Sequence, residues 1–370
     1  VASEKALELG KKVVVICQKS KISDWVEHFK QYPSLEVDVI NYDMVWRKKH
    51  YAEMADFTLI LDESSLIKNP TAKRTKFIMK MKFQNIILLS GTVCSGKYEE
   101  LWTQCHLLGW KISKKLFYDQ YIITEKIDVG GFPIVVVRGY KNVERLKSKL
   151  REYGAVFMTY DEALSLSPEL TSIPEMTEPI LISVENTKEY RRFNRDRVIE
   201  IEGETLVGST SLTKLLYLRQ LASQYNKNKW SAFTELLEST GKRVIVFYNF
   251  KYEFEKLKSL ITRPVSYING DGVDLKNYND YEDSVTLCQY QAGSKGHNLQ
   301  KAHITIYFSL PLSYEDWSQS MARTRRIGQS KVCRYYVLMC NKSVEGEIYE
   351  TLKQRKNYTD ELFRQSSEGE

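Results

Sequence analysis

Few residues of this chain could staple a fold covalently or through a metal. Its 370 residues include only six cysteines, Cys17, Cys94, Cys105, Cys288, Cys333 and Cys340, and none forms C-x-x-C. Several lie in apolar strand-like runs, where a free thiol behaves as a small hydrophobe. That spacing excludes a disulfide scaffold, gives no zinc pattern and points to a reducing, cytosolic setting. Cys105 stands beside His106, but no second ligand pair occurs at zinc spacing. No apolar run approaches the roughly 20 residues of a membrane-spanning helix, so a soluble protein is expected. Val1 is not a start Met, and the first residues show no signal-peptide pattern. No short repeat is visible. The phosphate-cradling pattern G-x-x-x-x-G-K-[ST] occurs nowhere.

What is present indicates a two-part α/β protein. Hydrophobic residues make up 42% of the chain, enough for substantial cores. Lys and Arg exceed Asp and Glu, 54 against 47, for a net charge of +7, a mild excess compatible with a polyanionic partner. Short Val- and Ile-rich runs at 13–17, 37–42, 57–61 and 85–89 predict strands buried on both faces. Helical segments between them, such as 23–31 and 71–80, predict a parallel sheet covered on both sides. Between 101 and 174 the pattern becomes irregular. A hairpin is expected over 127–137, turning at Gly130 and Gly131, then a basic amphipathic helix over 140–152. A helical stretch over 211–237 leads into a second strand series at 244–248, 265–268, 285–288, 304–308 and 335–339. The expected division is therefore a first α/β domain over 1–102, an insertion over 103–174, a helical bridge over 175–240 and a second α/β domain over 241–370.

Three clusters carry chemistry. Asp62 and Glu63 follow a buried strand directly. An Asp at that edge can hold Mg²⁺ on a nucleoside triphosphate, and an adjacent Glu can orient or deprotonate water. The same residues would also suit a helix N-terminus. Ser90-Gly91-Thr92 closes the next strand as a compact loop or an ordinary turn. The stretch Gln319 to Gln329 reads Q-S-M-A-R-T-R-R-I-G-Q. On a helix, Arg323 and Arg326 would share a face and suit triphosphate oxygens; a basic helix capped at Gly328 would read the same way.

In order along the chain, these segments resemble the Swi/Snf-like group of superfamily 2 helicases. The resemblance runs through Val13 to Trp25, Leu61 to Ser65, Leu89 to Trp102, Lys242 to Phe250, Gln291 to Ala302 and Gln319 to Gln329. The last is the most specific. The resemblance implies two RecA-like domains flanking a cleft, with ATP and Mg²⁺ as cofactors and DNA as a sequence-independent partner. Asp62 would bind Mg²⁺, Glu63 would activate water, and Arg323 and Arg326 would act as arginine fingers. Gln319, Gly296 and Asn298 would serve the ATP site. Lys19, Ser20, Thr92, Tyr248, Asn249, Tyr290, Gln291, Ala292, Gly293 and Ser294 would meet the nucleic acid, and Trp317 would stack on a base or pack beneath its helix. The implied function is an ATP-dependent DNA translocase or helicase motor, cytoplasmic or nucleoid-associated.

The departures are specific. The acidic motif is D-E-S-S, so Ser65 stands where the group usually has a His that relays nucleotide state to the third motif. That motif reads S-G-T-V-C-S, and Gln291 and Ser294 replace a commoner Arg and Gly. Short insertions favour a minimal prokaryotic or phage motor. The resemblance places the missing phosphate-binding loop upstream of Val1, because Ala2 to Leu9 looks like the helix that follows it; whether residues 1–370 alone are active is left open. True loss of the loop would leave an ATPase-dead nucleic-acid-binding scaffold, and a metabolic α/β enzyme is a third reading.

Overall fold

The computed structural model describes residues 1–91, 93–129, 132–158, 162, 177–293, 297–326 and 328–363. It comprises two compact units, residues 1–159 with 357–370, and residues 160–356.

The first unit is built on β1 (Lys12–Cys17), β2 (Val37–Asn41), β3 (Phe57–Asp62) and β4 (Asn85–Leu89). All four are parallel, in the order β2-β1-β3-β4. The two-residue period of the strands divides their side chains between two cores. Val14, Ile16, Leu59 and Leu61 pack with Tyr42, Tyr51 and Ile78. Val13, Val15, Cys17 and Ile60 pack with Ala6 and Phe29. Coverage of both faces is why these runs read as continuously apolar.

After β4 the chain forms a third core. Tyr98, Leu101, Cys105, Trp110, Phe117, Tyr121, Leu146 and Leu150 are buried together there, with Tyr358 packed against them. The expected hairpin is present and longer than predicted, pairing β5 (Ile122–Val129) with β6 (Phe132–Tyr140). Its turn, Gly130 and Gly131, lies outside the described residues. The basic helix spans Val143–Glu152 and buries Leu146 and Leu150.

The second unit holds a larger sheet. Its strands are β7 (Ile180–Val184), β10 (Val244–Tyr248), β11 (Val265–Asn269), β12 (Gly272–Asp274), β13 (Val285–Gln289), β14 (Ile304–Tyr307) and β15 (Arg334–Cys340). A separate hairpin joins β8 (Val198–Ile201) to β9 (Glu204–Val207). The sheet order is β12-β11-β13-β10-β14-β15-β7, parallel except for β12. Again the faces alternate: Ile245 and Phe247 enter one core, and Val244, Val246 and Tyr248 the other. The stretch expected as a helical bridge therefore also carries strands, one of them an edge of the main sheet. Its long helix is two, Ser211–Ala222 and Lys227–Glu238, because Asn226 caps the second by accepting from the Asn228 N–H.

Candidate nucleotide and nucleic-acid site

A parallel sheet gathers its loops at the carboxyl ends of its strands. In the first unit, register aligns Cys17 with Asn41, Ile16 with Leu61, and Asp62 with Leu89. The segments after β1, β3 and β4 therefore leave from one edge. These are Lys19–Lys21, Asp62–Glu63 and Ser90–Gly91.

Asp62 is held from two directions. Trp25 Nε1 donates to Asp62 Oδ2 at 2.9 Å, and the Tyr42 hydroxyl donates to the Asp62 carbonyl at 2.8 Å. The Trp25 ring is itself fixed on Phe29, stacked at 5.7 Å. Burial pushes the Tyr42 hydroxyl pKa well above its ordinary value, and the Asp62 charge adds to that. Tyr42 thus remains a neutral donor. Burial also pushes the Cys17 thiol up to about 12, which makes it inert packing.

Glu63 has φ 56°. A left-handed conformation at a non-glycine residue costs about 1–3 kcal/mol and persists only where surroundings impose it. Here it ends β3 abruptly and starts the short helix Ser64–Ile67. Asp62 Oδ1 makes no hydrogen bond among the described residues. One oriented carboxylate at a strand end fits Mg²⁺, which takes one or two protein carboxylates and completes its shell with phosphates and water.

The acidic turn is tied to the next loop through a residue that sequence reading did not single out. The Ser64 hydroxyl donates to Gln104 Oε1 at 3.1 Å, and Gln104 Nε2 donates to the Val93 carbonyl at 2.7 Å. Lys68 and Glu100 add an ion pair at 3.3 Å beside it. Lys19 and Ser20 are exposed. Thr92 lies outside the described residues, as do Ser294 and Gly296.

In the second unit, the expected nucleic-acid residues divide sharply. Tyr248 is 1% exposed, with its ring stacked on Phe254. Tyr290 is 2% exposed, donates its hydroxyl to the Ser309 carbonyl at 3.0 Å and stacks on Phe247. Trp317 packs on Tyr307 at 4.4 Å and edge-on to Tyr349. These three rings are core, so no ring face is open to a base. Gln291 and Asn298 are exposed, and Ala292 is partly buried next to Gly293 in the turn Tyr290–Gly293. Asn249 donates its side-chain amide to Ser309 Oγ and to the Leu310 carbonyl, at 2.8 and 3.0 Å. Glu253 fixes the same turn by accepting from the Asn249 and Phe250 N–H groups.

The arginine stretch corrects one expectation. The helix thought to carry Arg323 and Arg326 is Tyr314–Met321 and ends before either. A tighter turn follows, in which Arg323 N–H donates to the Ser320 carbonyl and Thr324 Oγ1 to the Met321 carbonyl. The arginines therefore share no helical face. Arg323 is 8% exposed and braces the neighbouring loop: its Nη1 donates to the His297 carbonyl at 3.1 Å, and its own carbonyl accepts from Leu299 N–H. Arg326 is exposed. Gln329 locks the turn through Nε2 to the carbonyls of Gln300, Ala302 and Thr324. Gln319 lies partly buried on the helix, with Nε2 3.5 Å from Glu315 Oε1. Among the described residues no cluster of His, Cys, Asp and Glu could hold a metal, and no helix is long and apolar enough to cross a membrane. All six cysteines are free and buried.

Comparison with known proteins agrees with the order of these segments. The SNF2-related domain family matches residues 12–229, and the helicase conserved C-terminal domain family matches residues 228–328. Among curated relatives, the SWI/SNF-related matrix-associated actin-dependent regulator of chromatin subfamily A-like protein 1 of Drosophila melanogaster is 24% identical over 338 residues, covering 87% of this chain and 43% of that protein. The uncharacterized ATP-dependent helicase MG018 of Mycoplasma genitalium is 25% identical over 354 residues, covering 87% of this chain and 32% of that protein. Human chromodomain-helicase-DNA-binding protein 1 is 22% identical over 388 residues, covering 90% and 21%. The chain thus spans less than half the length of these relatives. A solved structure, the Sulfolobus solfataricus SWI2/SNF2 ATPase core in complex with dsDNA, aligns over 97% of this chain and 84% of that one, at 18% identity and a TM-score of 0.40. With more than half its length matched, the chain belongs to the SNF2-related family of helicase-like ATPase domains, and each of its two units is built on an α/β sheet.

Proposed function

We propose that this chain is the motor portion of an ATP-dependent DNA translocase, hydrolysing the β–γ phosphoanhydride of ATP as it moves along nucleic acid. The observation that carries the reading is the acidic turn after β3, where Trp25 and Tyr42 orient Asp62 and a left-handed backbone sets Glu63 beside it. Bound Mg²⁺ would neutralise phosphate charge, and Asp62 is the residue that would hold it. Glu63 accepts a proton from the attacking water, a role that contributes about 10²–10⁴ in rate. Arg326, exposed and always charged, stabilises the negative charge of the transferring group. Arg323 supports it by bracing the 297–299 segment. Gln319, Asn298 and Gly296 complete the nucleotide contacts in this assignment.

DNA is the partner named by relatives that act on chromatin or bind DNA. Lys19, Ser20 and Gln291 are exposed and suit phosphate and sugar contacts, which carry little sequence information. Thr92, Gly293 and Ser294 belong to the same assignment, with Asn249 at the end of β10. Tyr248, Tyr290 and Trp317 position these groups from the core.

The test is ATP turnover by the intact protein with duplex DNA, single-stranded DNA or RNA, at several salt concentrations. DNA should raise turnover, and its apparent affinity should fall steeply with salt. Salt-sensitive DNA binding with no turnover would leave a nucleic-acid-binding scaffold in place of a motor.

A further inference from the structure

We infer that Gln104 is a positioning residue that couples the hydrolytic turn to the nucleic-acid loop after β4. The inference rests on the motor reading above. The bridge is buried at Ser64, 1% exposed, and at Gln104, 4% exposed, and half-buried where it reaches Val93. Its polarity is fixed by chemistry. The Val93 carbonyl can only accept, so Gln104 must present its NH₂ there and its oxygen to Ser64. Ser64 must then donate. The result is a directed chain, Ser64 O–H to Gln104 C=O, then Gln104 N–H to Val93 C=O, at 3.1 and 2.7 Å. Such bonds polarise one another in a low-dielectric interior.

The anchor points explain what the bridge transmits. Ser64 follows Glu63 directly, so movement of the proposed water-activating carboxylate displaces the first donor. Val93 follows Thr92, the proposed nucleic-acid contact after β4. Gln104 sits in the helix Trp102–Leu107, which is packed through Trp102 and Cys105 against the core formed by Trp110, Phe117, Tyr121, Leu146 and Leu150. That helix gives the bridge a rigid backing. Breaking either bond strands a buried polar group, which costs about 1–3 kcal/mol, so the two ends are constrained to move together.

The test uses the intact protein and the ratio of ATP turnover with saturating duplex DNA to turnover without it. Gln104→Met keeps the length and volume of the side chain and removes both bonds. The DNA stimulation ratio should fall at least fivefold, in the range of ordinary coupling energies, while the DNA-free rate changes less than twofold. Ser64→Ala should do the same, and the double variant should be no worse than either single. Gln104→Glu supplies a readout that simple packing would not move: the introduced carboxyl can donate to Val93 only when protonated. Its stimulation ratio should therefore recover as pH falls, relative to the unsubstituted protein at the same pH. Parallel loss of basal and stimulated rates, or additive effects in the double variant, overturns the inference and leaves the motor reading intact. Absence of DNA stimulation in the unsubstituted protein overturns both.

Discussion

Replacing Trp25 by Phe isolates one bond at the heart of the proposed site. A ring remains to stack on Phe29, where the native contact is 5.7 Å, and only the indole N–H that reaches Asp62 at 2.9 Å is lost. A hydrogen bond to a charged group contributes about 1.5–3 kcal/mol. Only the share that grows in the transition state slows chemistry. The lower end of that range corresponds to roughly a tenfold fall in kcat. Trp25 is half-buried, so fold stability should suffer little. The assay is steady-state turnover by the intact protein at saturating DNA while Mg²⁺ is titrated. The expected outcome is a kcat about tenfold lower, a higher half-saturating Mg²⁺ concentration and a Tm within about 4 °C of the original. An unchanged Mg²⁺ requirement with unchanged kcat would show that Trp25 is packing alone, and would refute the claim that it orients a metal-binding carboxylate.

Other expectations separate the residues by burial. Arg326→Ala, at an exposed position, should leave the Tm unchanged and lower DNA-stimulated turnover by about 10³ or more; an unaltered rate removes it from the chemistry. Arg323→Ala should lower both rate and Tm, because it removes a buried side chain and its bond to the His297 carbonyl. Thermal unfolding beside the turnover assay distinguishes the two. Lys229→Met should destabilise the second unit by about 3–5 kcal/mol, since Lys229 and Glu345 form an ion pair with side chains 0% and 3% exposed. Burial already raises the Glu345 pKa, and Lys229 opposes that rise, so the substitution raises it further. A raised folded-state pKa favours the folded state below the unfolded value, and that advantage disappears as pH rises through the folded value. The deficit measured by denaturant unfolding should therefore be smaller at pH 5 than at pH 8, and an equal deficit at both would contradict the account.

Much of the strand framework was legible because its signal is local. The runs at 13–17, 57–61 and 244–248 are sealed on both faces and the edge run at 85–89 is half-buried, and their Val, Ile and Leu content marked them within a residue or so of β1, β3, β10 and β4. The edge strand Ile180–Val184 was missed. It is mostly exposed or half-exposed and pairs with β15 more than 150 residues later, a long-range fact invisible in its own spelling. The hairpin Val198–Val207 was missed for another reason. Its turn uses Glu202 and Gly203, both at positive φ, where sequence reading looks for Asn-Gly or Asp-Gly.

At the site, the order of the motifs was readable and their wiring was not. Asp62 and Glu63 stood out because acidic residues follow an apolar run. Nothing in the sequence linked Trp25 or Tyr42 to Asp62, because those contacts form only when β1, β2 and β3 align. Gln104 was hidden inside a helix spelled W-T-Q-C-H-L, where one polar residue passes as surface. Its burial between Ser64 and Val93 depends on how that helix docks. The arginine stretch misled because the spacing of Arg323 and Arg326 fits a helix. The Thr324 hydroxyl and the Gln329 amide instead satisfy carbonyls that a continuing helix would have used.

The motor account is tested most directly by comparing Glu63→Gln with the unsubstituted protein, both intact, for nucleotide binding and for DNA-stimulated turnover. The account predicts nearly unchanged ATP affinity together with a loss of turnover of about 10²–10⁴. Turnover that survives the substitution at close to its original rate would contradict it.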